Sequence, residues 1–392
     1  MKQEPVLTIA MSTYDDYDGV YFSIQAIRMY HEEIADRLRF LVLDNNPDGK
    51  EGQAAKHFVE TLPKSRYISF PYYNSTSTRD ILFREAETPY VLCMDSHIFF
   101  VPGALAQLID YFEQQRDCRD LIQGPLLYDD LQQVSSHFNT QWNDGMYGTW
   151  GFDRRASDPN HVPFEIPMQG LGVFACHKDA WQGFNPRFRG FGGEEGYIHQ
   201  KFRNAGHRTL CLPFLRWMHR FGRPRGTSYP NKWKDRIRNY LIGFQEVGLD
   251  VEVCKKHFQE VLGLDQYLII EQEILKEFRS PFHFFDTIFF LPEPGLTYNH
   301  SELFNFFNTW GIDHLIQAPQ QEDWTKESII QRSRRYVYQS IAVLTGFLPY
   351  KEENLQRMKA GLRSATKQEW QHFFLWQNRE SGISWEAIYI GN

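Results

Sequence analysis

Short apolar segments alternate with helical segments through the first half of this 392-residue chain, and this alternation constrains the fold most strongly. Residues 6–11, 40–43 and 90–94 are mainly apolar runs of strand length. The stretches at 21–34 and 105–112 have the pattern of helices, the second with apolar residues three and four positions apart. This β-α-β order predicts an α/β fold with a mostly parallel sheet that is flanked by helices on both faces.

The second half of the chain shows this alternation less clearly. Apolar positions recur at helical spacing in 233–247 and 326–347, and aromatic residues are concentrated in 282–310. The length allows one large domain and a smaller second one, at roughly 100–200 residues per domain. We therefore expect an α/β domain over residues 1–230 and a helical, aromatic-rich region over residues 231–392.

Composition favours an ordinary globular protein and excludes several classes of partner. The net charge of −7 is opposite to the basic face that nucleic-acid binding needs. No apolar run approaches the roughly 20 residues that span a bilayer, and the first residues lack the pattern of a signal peptide, so we expect a cytoplasmic protein without a transmembrane segment. The five cysteines are far apart without Cys-x-x-Cys spacing, which indicates reduced thiols. None of these features indicates an oligomeric state.

A metal-ligand motif follows the apolar run at 90–94. Asp95 and His97 stand two residues apart, and side chains at that spacing in an extended segment project to the same face. A carboxylate oxygen and an imidazole nitrogen suit a divalent cation such as Mn²⁺, which also binds the phosphate oxygens of a nucleotide. A lone histidine, His219, lies in a basic stretch at 216–238. This combination indicates a metal-dependent transferase.

Two further segments carry chemical signals. Residues 128–167 lose the regular apolar pattern and accumulate Gly, Asp, Asn and Trp, and their aromatic content favours an ordered wall or lid over a loose linker. Glu194 and Glu195 follow a Gly-Gly pair, which predicts a turn that presents two adjacent carboxylates. Carboxylates so placed are candidates for general acid or base catalysis.

These motifs together resemble the GT-A class of nucleotide-sugar glycosyltransferases, and within it the polypeptide N-acetylgalactosaminyltransferases and their bacterial relatives. The Asp-Ser-His sequence at 95–97 is similar to that family's Asp-x-His metal motif. Residues 167–175 are similar to its Met-Ala-Gly-Gly-Leu-Phe segment, and residues 192–195 to its Trp-Gly-Gly-Glu-Asn turn. The resemblance covers about residues 5–230 and implies a GT-A fold, which is Rossmann-like, mostly parallel and flanked by helices.

The resemblance also implies roles for the matching residues. A UDP-sugar would be the donor, and Asp95, His97 and His219 would bind Mn²⁺ or Mg²⁺. The nucleotide would be held by residues at the strand ends, in the metal motif and in the basic stretch: Thr13, Tyr14, Asp15, Asp44, Arg79, Ser96, Arg220, Arg223 and Tyr229. Arginine suits this role because its guanidinium group can donate two parallel hydrogen bonds to the oxygens of one phosphate. The acceptor, whether a glycan, a protein or a small molecule, is not indicated.

Glu195 bears on the stereochemistry of transfer. An inverting enzyme needs a general base for the acceptor's proton, and a carboxylate is the usual choice. Inverting galactosyltransferases have an acidic residue after Gly-Gly-Glu, whereas the retaining polypeptide-modifying enzymes have Asn there. We therefore expect Glu195 to be the base and Glu194 to orient the donor sugar or the acceptor, which slightly favours inversion.

Three other functions share part of this residue set. A non-haem iron oxygenase uses two histidines and a carboxylate, but with His-x-Asp first and on an all-β barrel. A nucleotidyltransferase acting on sugar phosphates needs a Gly-rich basic loop after the first strand, where this chain has Ser-Thr-Tyr-Asp-Asp at 12–16. A non-catalytic sugar-nucleotide-binding protein would not need both the metal ligands and the glutamate pair.

Overall fold

The computed structural model describes residues 4–70, 74–185, 187–222 and 229–279. Residues 1–271 form one compact unit. The helix predicted at 326–347 and the aromatic concentration at 282–310 lie outside the described residues. The domain boundary expected at residue 230 stays a prediction.

The described chain contains strands, α-helices and short 3₁₀ helices in the following order. The strands are β1 (Leu7–Thr13), β2 (Leu38–Asp44), β3 (Ser65–Ser69), β4 (Tyr90–Asp95), β5 (Ile98–Phe100), β6 (Leu121–Gln123), β7 (Leu126–Leu127), β8 (Val134–Ser135), β9 (His137–Asn143), β10 (Met146–Gly151), β11 (Phe164–Glu165), β12 (Val173–His177), β13 (Thr209–Cys211) and β14 (Trp217–His219). The α-helices are α1 (Tyr17–Tyr30), α2 (Gly52–Thr61), α3 (Arg79–Glu85), α4 (Ala104–Gln114), α5 (Glu194–Asn204), α6 (Trp233–Val247), α7 (Val251–Leu262) and α8 (Leu264–Arg279). The 3₁₀ helices are Glu32–Arg37, Thr76–Thr78, Arg154–Ser157 and Lys178–Ala180.

An eight-stranded, mostly parallel sheet forms the centre of the unit, in the order β11-β13-β6-β12-β4-β1-β2-β3. Strands β1 to β4 are parallel, as are β6 and β13, whereas β12 and β11 run antiparallel to their neighbours. Helices α1, α2 and α4 pack on one face in a single apolar cluster with Leu7, Ile9 and Met11 of β1. On the other face, Phe83 of α3 stacks on Phe174 of β12 at a centroid distance of 5.9 Å. The predicted α/β architecture is confirmed.

The predicted strands at 6–11, 40–43 and 90–94 are confirmed as β1, β2 and β4, with ends shifted by one or two residues. The helix expected at 21–34 instead begins at Tyr17 and ends at Tyr30, and a separate 3₁₀ helix follows it. Its first turn escaped the pattern because Asp18 and Gly19 are weak helix formers whose place depends on tertiary contacts. The helix expected at 233–247 is confirmed as α6.

The irregular stretch at 128–167 contains the antiparallel hairpin β9–β10, so the predicted ordered wall is present. Trp142 of this hairpin packs against Tyr240 of α6 and His257 of α7, at centroid distances of 4.8 and 4.4 Å. The described helices after residue 230 therefore support the hairpin from behind.

None of the described helices has both the length and the apolar character needed to cross a membrane. The five cysteines are free, and only Cys118 is not buried.

Gly124, between β6 and β7, leaves no room for a side chain. A Cβ at this position would stand 1.8 Å from the carbonyl oxygen of Leu215. The Gly124 carbonyl also accepts a hydrogen bond of 2.7 Å from Nε1 of Trp217, in the strand that ends at His219. We predict that Gly124→Ala lowers the free energy of unfolding, measured by urea denaturation, by about 1–3 kcal/mol, as overpacking does. The control is Gly222→Ala, where a Cβ would meet no atom within 4 Å. Equal unfolding midpoints for the two variants would contradict this explanation.

Candidate active site

A cavity of about 600 Å³ opens at the carboxyl ends of β1 and β4. Open α/β sheets bind their ligands at this edge. Hairpin β9–β10 and the first turn of α5 form one wall of the cavity, and the segment that leads into α3 forms another. Ten of the residues predicted for the site line it: Thr13, Tyr14, Arg79, Asp95, Ser96, His97, Glu194, Glu195, His219 and Tyr229.

Asp95, His97 and His219 converge at the floor of the cavity, with one ligand atom from each lying within 4.8 Å of the others. Nε2 of His97 lies 3.0 Å from Nε2 of His219, which lies 3.4 Å from Oδ2 of Asp95. Two ligand atoms about 2.1 Å from one ion and at a right angle are about 3.0 Å apart. The spacing of the two imidazole nitrogens therefore fits a shared divalent cation.

A turn, rather than one extended segment, brings Asp95 and His97 together. Strand β4 ends at Asp95, residues 96 and 97 form a turn, and β5 begins at Ile98. The same-face argument for an extended segment is therefore wrong in its geometry, although both side chains reach the same point. His219 joins them because β14 pairs with β5 and places His219 opposite Ile98.

Asp95 is held in its charged form. Nη2 of the buried Arg79 donates a hydrogen bond of 2.7 Å to Oδ1 of Asp95. Although burial alone would raise it, the hydrogen bond from His219 and the charge of Arg79 bring the pKa of Asp95 well below its ordinary value. A carboxylate that stays ionised at neutral pH is what a cation site needs. Arg79 thus contacts a metal-ligand candidate directly, in addition to lining the cavity.

The two glutamates begin α5 rather than lying in a turn, and their surroundings differ. Glu194 accepts hydrogen bonds from Oγ1 of Thr76 and from the backbone N–H of Gly192. Burial and the neighbouring Glu195 raise the pKa of Glu194 to about 8. Glu195 is 8% exposed, its Oε2 has no hydrogen-bond partner among the described residues, and burial raises its pKa. Glu194 is therefore fixed by two hydrogen bonds, whereas Glu195 lines the cavity and its buried Oε2 has no hydrogen-bond partner within the described chain.

The residues expected to hold the nucleoside separate into two groups. Thr13 and Tyr14 line the cavity, and Oγ1 of Thr13 is buried without a hydrogen-bond partner within the described chain. Asp15 and Asp44 are not among the lining residues. Both oxygens of Asp44 already accept hydrogen bonds, from the hydroxyl of Tyr67 (2.7 Å) and the backbone N–H of Asn46 (2.8 Å).

The basic stretch contributes less to the cavity than its charge suggests. Arg220 is exposed, does not line the cavity, and lies 3.5 Å from Oδ1 of Asp16. Arg223 lies outside the described residues. Arg236 and Arg238 are buried in α6, where Arg238 pairs with Asp235 at 2.7 Å. Tyr229 does line the cavity, 5.6 Å from the ring of Phe191.

Sequence reasoning missed several residues that shape this site. Asp16 accepts hydrogen bonds from His97 and Ser96, and Thr76 holds Glu194. Trp150 and Phe221 line the same cavity, and the ring of Phe221 lies 4.1 Å from the ring of His219. The Asp-Asp pair at 15–16, directly after a strand, was a signal for Asp16, but the aromatic neighbours had no comparable signal.

The family comparison agrees with this α/β fold and with a ligand cavity at its strand ends. Residues 8–179 match the model of glycosyl transferase family 2. This part of the chain is therefore a glycosyltransferase domain of GT-A architecture. No curated protein matches the sequence significantly.

Three solved structures are similar in fold. A crystal structure of GalNAc-T7 with UDP, GalNAc and Mn²⁺ is 12% identical, covers 62% of this chain and 48% of its own, and has a TM-score of 0.49. The mannosyltransferase PcManGT from Pyrobaculum calidifontis, in complex with GDP-Man and Mn²⁺, is 12% identical over 87% of each chain, with a TM-score of 0.44. S. aureus TarS is 11% identical over 66% of this chain and 43% of its own, with a TM-score of 0.37. The chain thus spans about half the length of the first structure and less than half of the third.

Proposed function

We propose that this protein is a metal-dependent glycosyltransferase that moves a sugar from a nucleotide-sugar, with UDP as the nucleotide, to an acceptor hydroxyl with inversion. One observation carries the proposal. Glu195, whose buried Oε2 has no hydrogen-bond partner in the described chain, lines the same cavity as the cluster of Asp95, His97 and His219, in a glycosyltransferase domain. One cavity can therefore provide both a cation for the nucleotide leaving group and a carboxylate for the acceptor's proton.

The cluster would hold Mn²⁺ or Mg²⁺. Two imidazoles and a carboxylate suit a borderline divalent cation, and Asp95 is ionised at neutral pH. The ion would supply positive charge to the diphosphate as the bond to the sugar breaks, an effect worth several kcal/mol. Arg79 keeps Asp95 charged and oriented by its hydrogen bond.

The nucleoside would lie across the ends of β1 and β2, against Thr13, Tyr14 and Asn45, which line that part of the cavity. UDP follows from the sequence resemblance. Asp44 would not contact the nucleoside, because both of its oxygens accept hydrogen bonds from Tyr67 and Asn46. These bonds would instead hold the end of β2 in place.

Glu195 would take the proton of the acceptor hydroxyl. Its Oε2 makes no hydrogen bond to the described residues that would have to break first. Glu194 would keep the start of α5 in place through Thr76 and Gly192 and so orient its neighbour. Hairpin β9–β10 and Trp150 would form the wall against which the acceptor lies.

The test of this function is turnover of nucleotide-sugars by the metal-stripped and the Mn²⁺-loaded protein. UDP release from a panel of UDP-sugars, with and without candidate acceptors, should require the metal. Proton NMR of the product should show a β-anomer from an α-linked donor. An α-anomer would exclude Glu195 as the base of an inverting reaction, and turnover without any divalent cation would remove the metal from the proposal.

The rate of transfer is expected to fall with acidification at pH values where ordinary glutamates are still ionised. The base acts in its charged form, and burial raises the pKa of Glu195, so activity is present above this raised pKa and is lost as the pH falls through it. A pH-rate profile at saturating Mn²⁺ measures the effect. The residual rate of Glu195→Gln should lack this acid limb, whereas a limb due to protonation of the histidines would persist in the variant.

A further inference from the structure

One face of α1 is fitted to the turn that carries Ser96 and His97. Asp16, which precedes the helix, and Gly19 and Ser23 within it stand at positions i, i+3 and i+7, a spacing that aligns side chains along one face of a helix. All three are buried. The sequence between residues 16 and 23 therefore contains a contact surface for the metal-ligand motif eighty residues away.

Gly19 and Ser23 fix the backbone of the turn. A Cβ on Gly19 would stand 2.5 Å from the carbonyl oxygen of Ser96, so only glycine allows this close approach. Ser23 Oγ donates to the carbonyl of Ser96 (3.1 Å) and accepts from the backbone N–H of Ile98 (2.9 Å). The backbone on both sides of His97 is thus held by α1.

Asp16 fixes the side chain of His97. Its Oδ2 accepts hydrogen bonds from Oγ of Ser96 (2.7 Å) and from Nδ1 of His97 (2.8 Å). Asp16 is 8% exposed and precedes the helix at the N-cap position, yet its side chain makes no capping hydrogen bond. A carboxylate oxygen that accepts from Nδ1 of His97 selects the tautomer with an unprotonated Nε2, and this Nε2 lies 3.0 Å from Nε2 of His219.

We propose that Asp16 is a positioning residue of the metal site, which holds His97 in the orientation and tautomer that bind the cation. The proposal rests on the function proposed above, because it needs a metal at this cluster. Outer partners of this kind are worth roughly ten- to hundredfold in metal affinity. Asp16 also lines the cavity and lies 3.5 Å from Arg220, so metal affinity measured without nucleotide is the readout that isolates its effect on His97.

The test measures Mn²⁺ binding to the full-length protein without nucleotide, from the electron paramagnetic resonance signal of free Mn²⁺. Asp16→Ala should weaken the affinity by about ten- to hundredfold. Asp16→Asn should recover part of this loss, because its carbonyl oxygen still accepts from Nδ1 of His97. Asp18→Ala is the matched control, since it removes an exposed carboxylate from the first turn of the same helix. Pulsed electron paramagnetic resonance of the bound Mn²⁺ should also show weaker coupling to imidazole nitrogen in Asp16→Ala than in the original protein.

The possible outcomes distinguish failure of the Asp16 role from failure of the proposed function. If the original protein binds Mn²⁺ and both Asp16 variants bind it equally well, the role of Asp16 is refuted while the proposed function stands. If the original protein binds no Mn²⁺, the proposed function fails and this inference with it. If Asp16→Ala does not fold, the near-isosteric Asp16→Asn decides, because it should still bind more weakly than Asp18→Ala.

Discussion

Replacing Glu195 with glutamine is expected to slow sugar transfer by about 10²–10⁴-fold, the contribution typical of a positioned general base. Glutamine keeps the shape of the side chain but cannot accept the acceptor's proton. Because Oε2 of Glu195 makes no hydrogen bond to the described residues, the substitution breaks none at that oxygen. The initial rate of UDP release in the presence of acceptor measures the effect, and binding of UDP with Mn²⁺ should stay within about twofold of the original affinity.

The matched control for this variant is Glu165→Gln, which makes the same chemical change at an exposed position of β11. It should leave the rate unaltered. A Glu195→Gln protein that keeps half of the original rate would show that another group, or none, takes the proton. The assignment of base and of inversion would then fall together.

Replacing His219 with alanine is expected to abolish the metal dependence of nucleotide binding. His219 supplies one of three ligand atoms, and the loss of a direct ligand should exceed the roughly ten- to hundredfold cost of losing an outer partner. The fold should persist, because Nδ1 of His219 has no hydrogen-bond partner in the described chain and the ring lies beside the exposed Phe221. Titration of UDP in the presence of Mn²⁺ measures the loss.

His57→Ala removes an exposed imidazole from α2 and serves as the control for this change. It should bind UDP and Mn²⁺ like the original protein. If His219→Ala also does so, Asp95 and His97 alone would hold the ion, and the three-ligand site would be wrong.

The fold was largely predictable because its central strands are buried on both faces. Such strands are continuous apolar runs, and β1, β2 and β4 were found from them directly. The ends of α1 were not predictable in this way, because the start of this helix is fixed by its contact with the turn after β4 rather than by its own residues. Helix boundaries of this kind depend on distant parts of the chain.

The candidate site was predictable only where local motifs mark it. The Asp-x-His motif and the glutamate pair are short signals, and the structure brings both to one cavity. Asp44 shows the limit of such reasoning. Its position at a strand end was readable, but both of its oxygens accept hydrogen bonds from Tyr67 and Asn46, and the cavity is lined by the next residue, Asn45.

Contacts between residues far apart in the sequence could not be predicted from the sequence alone. Thr76 and Glu194 meet across 118 positions, and no pattern around either residue indicates the other. The basic residues of α6 were a similar case, since a charge in the sequence does not reveal whether it faces a ligand or packs inside. Arg236 lies over the ring of Trp233 at 5.0 Å and belongs to the packing of that helix.

The most direct test of the metal–nucleotide site is calorimetric titration of UDP into metal-stripped protein, with and without Mn²⁺. The proposed function predicts binding that requires Mn²⁺, because the cluster of Asp95, His97 and His219 would hold the ion that binds the diphosphate. Equal affinity with and without the ion, or no binding under either condition, would contradict a UDP site built on these three residues.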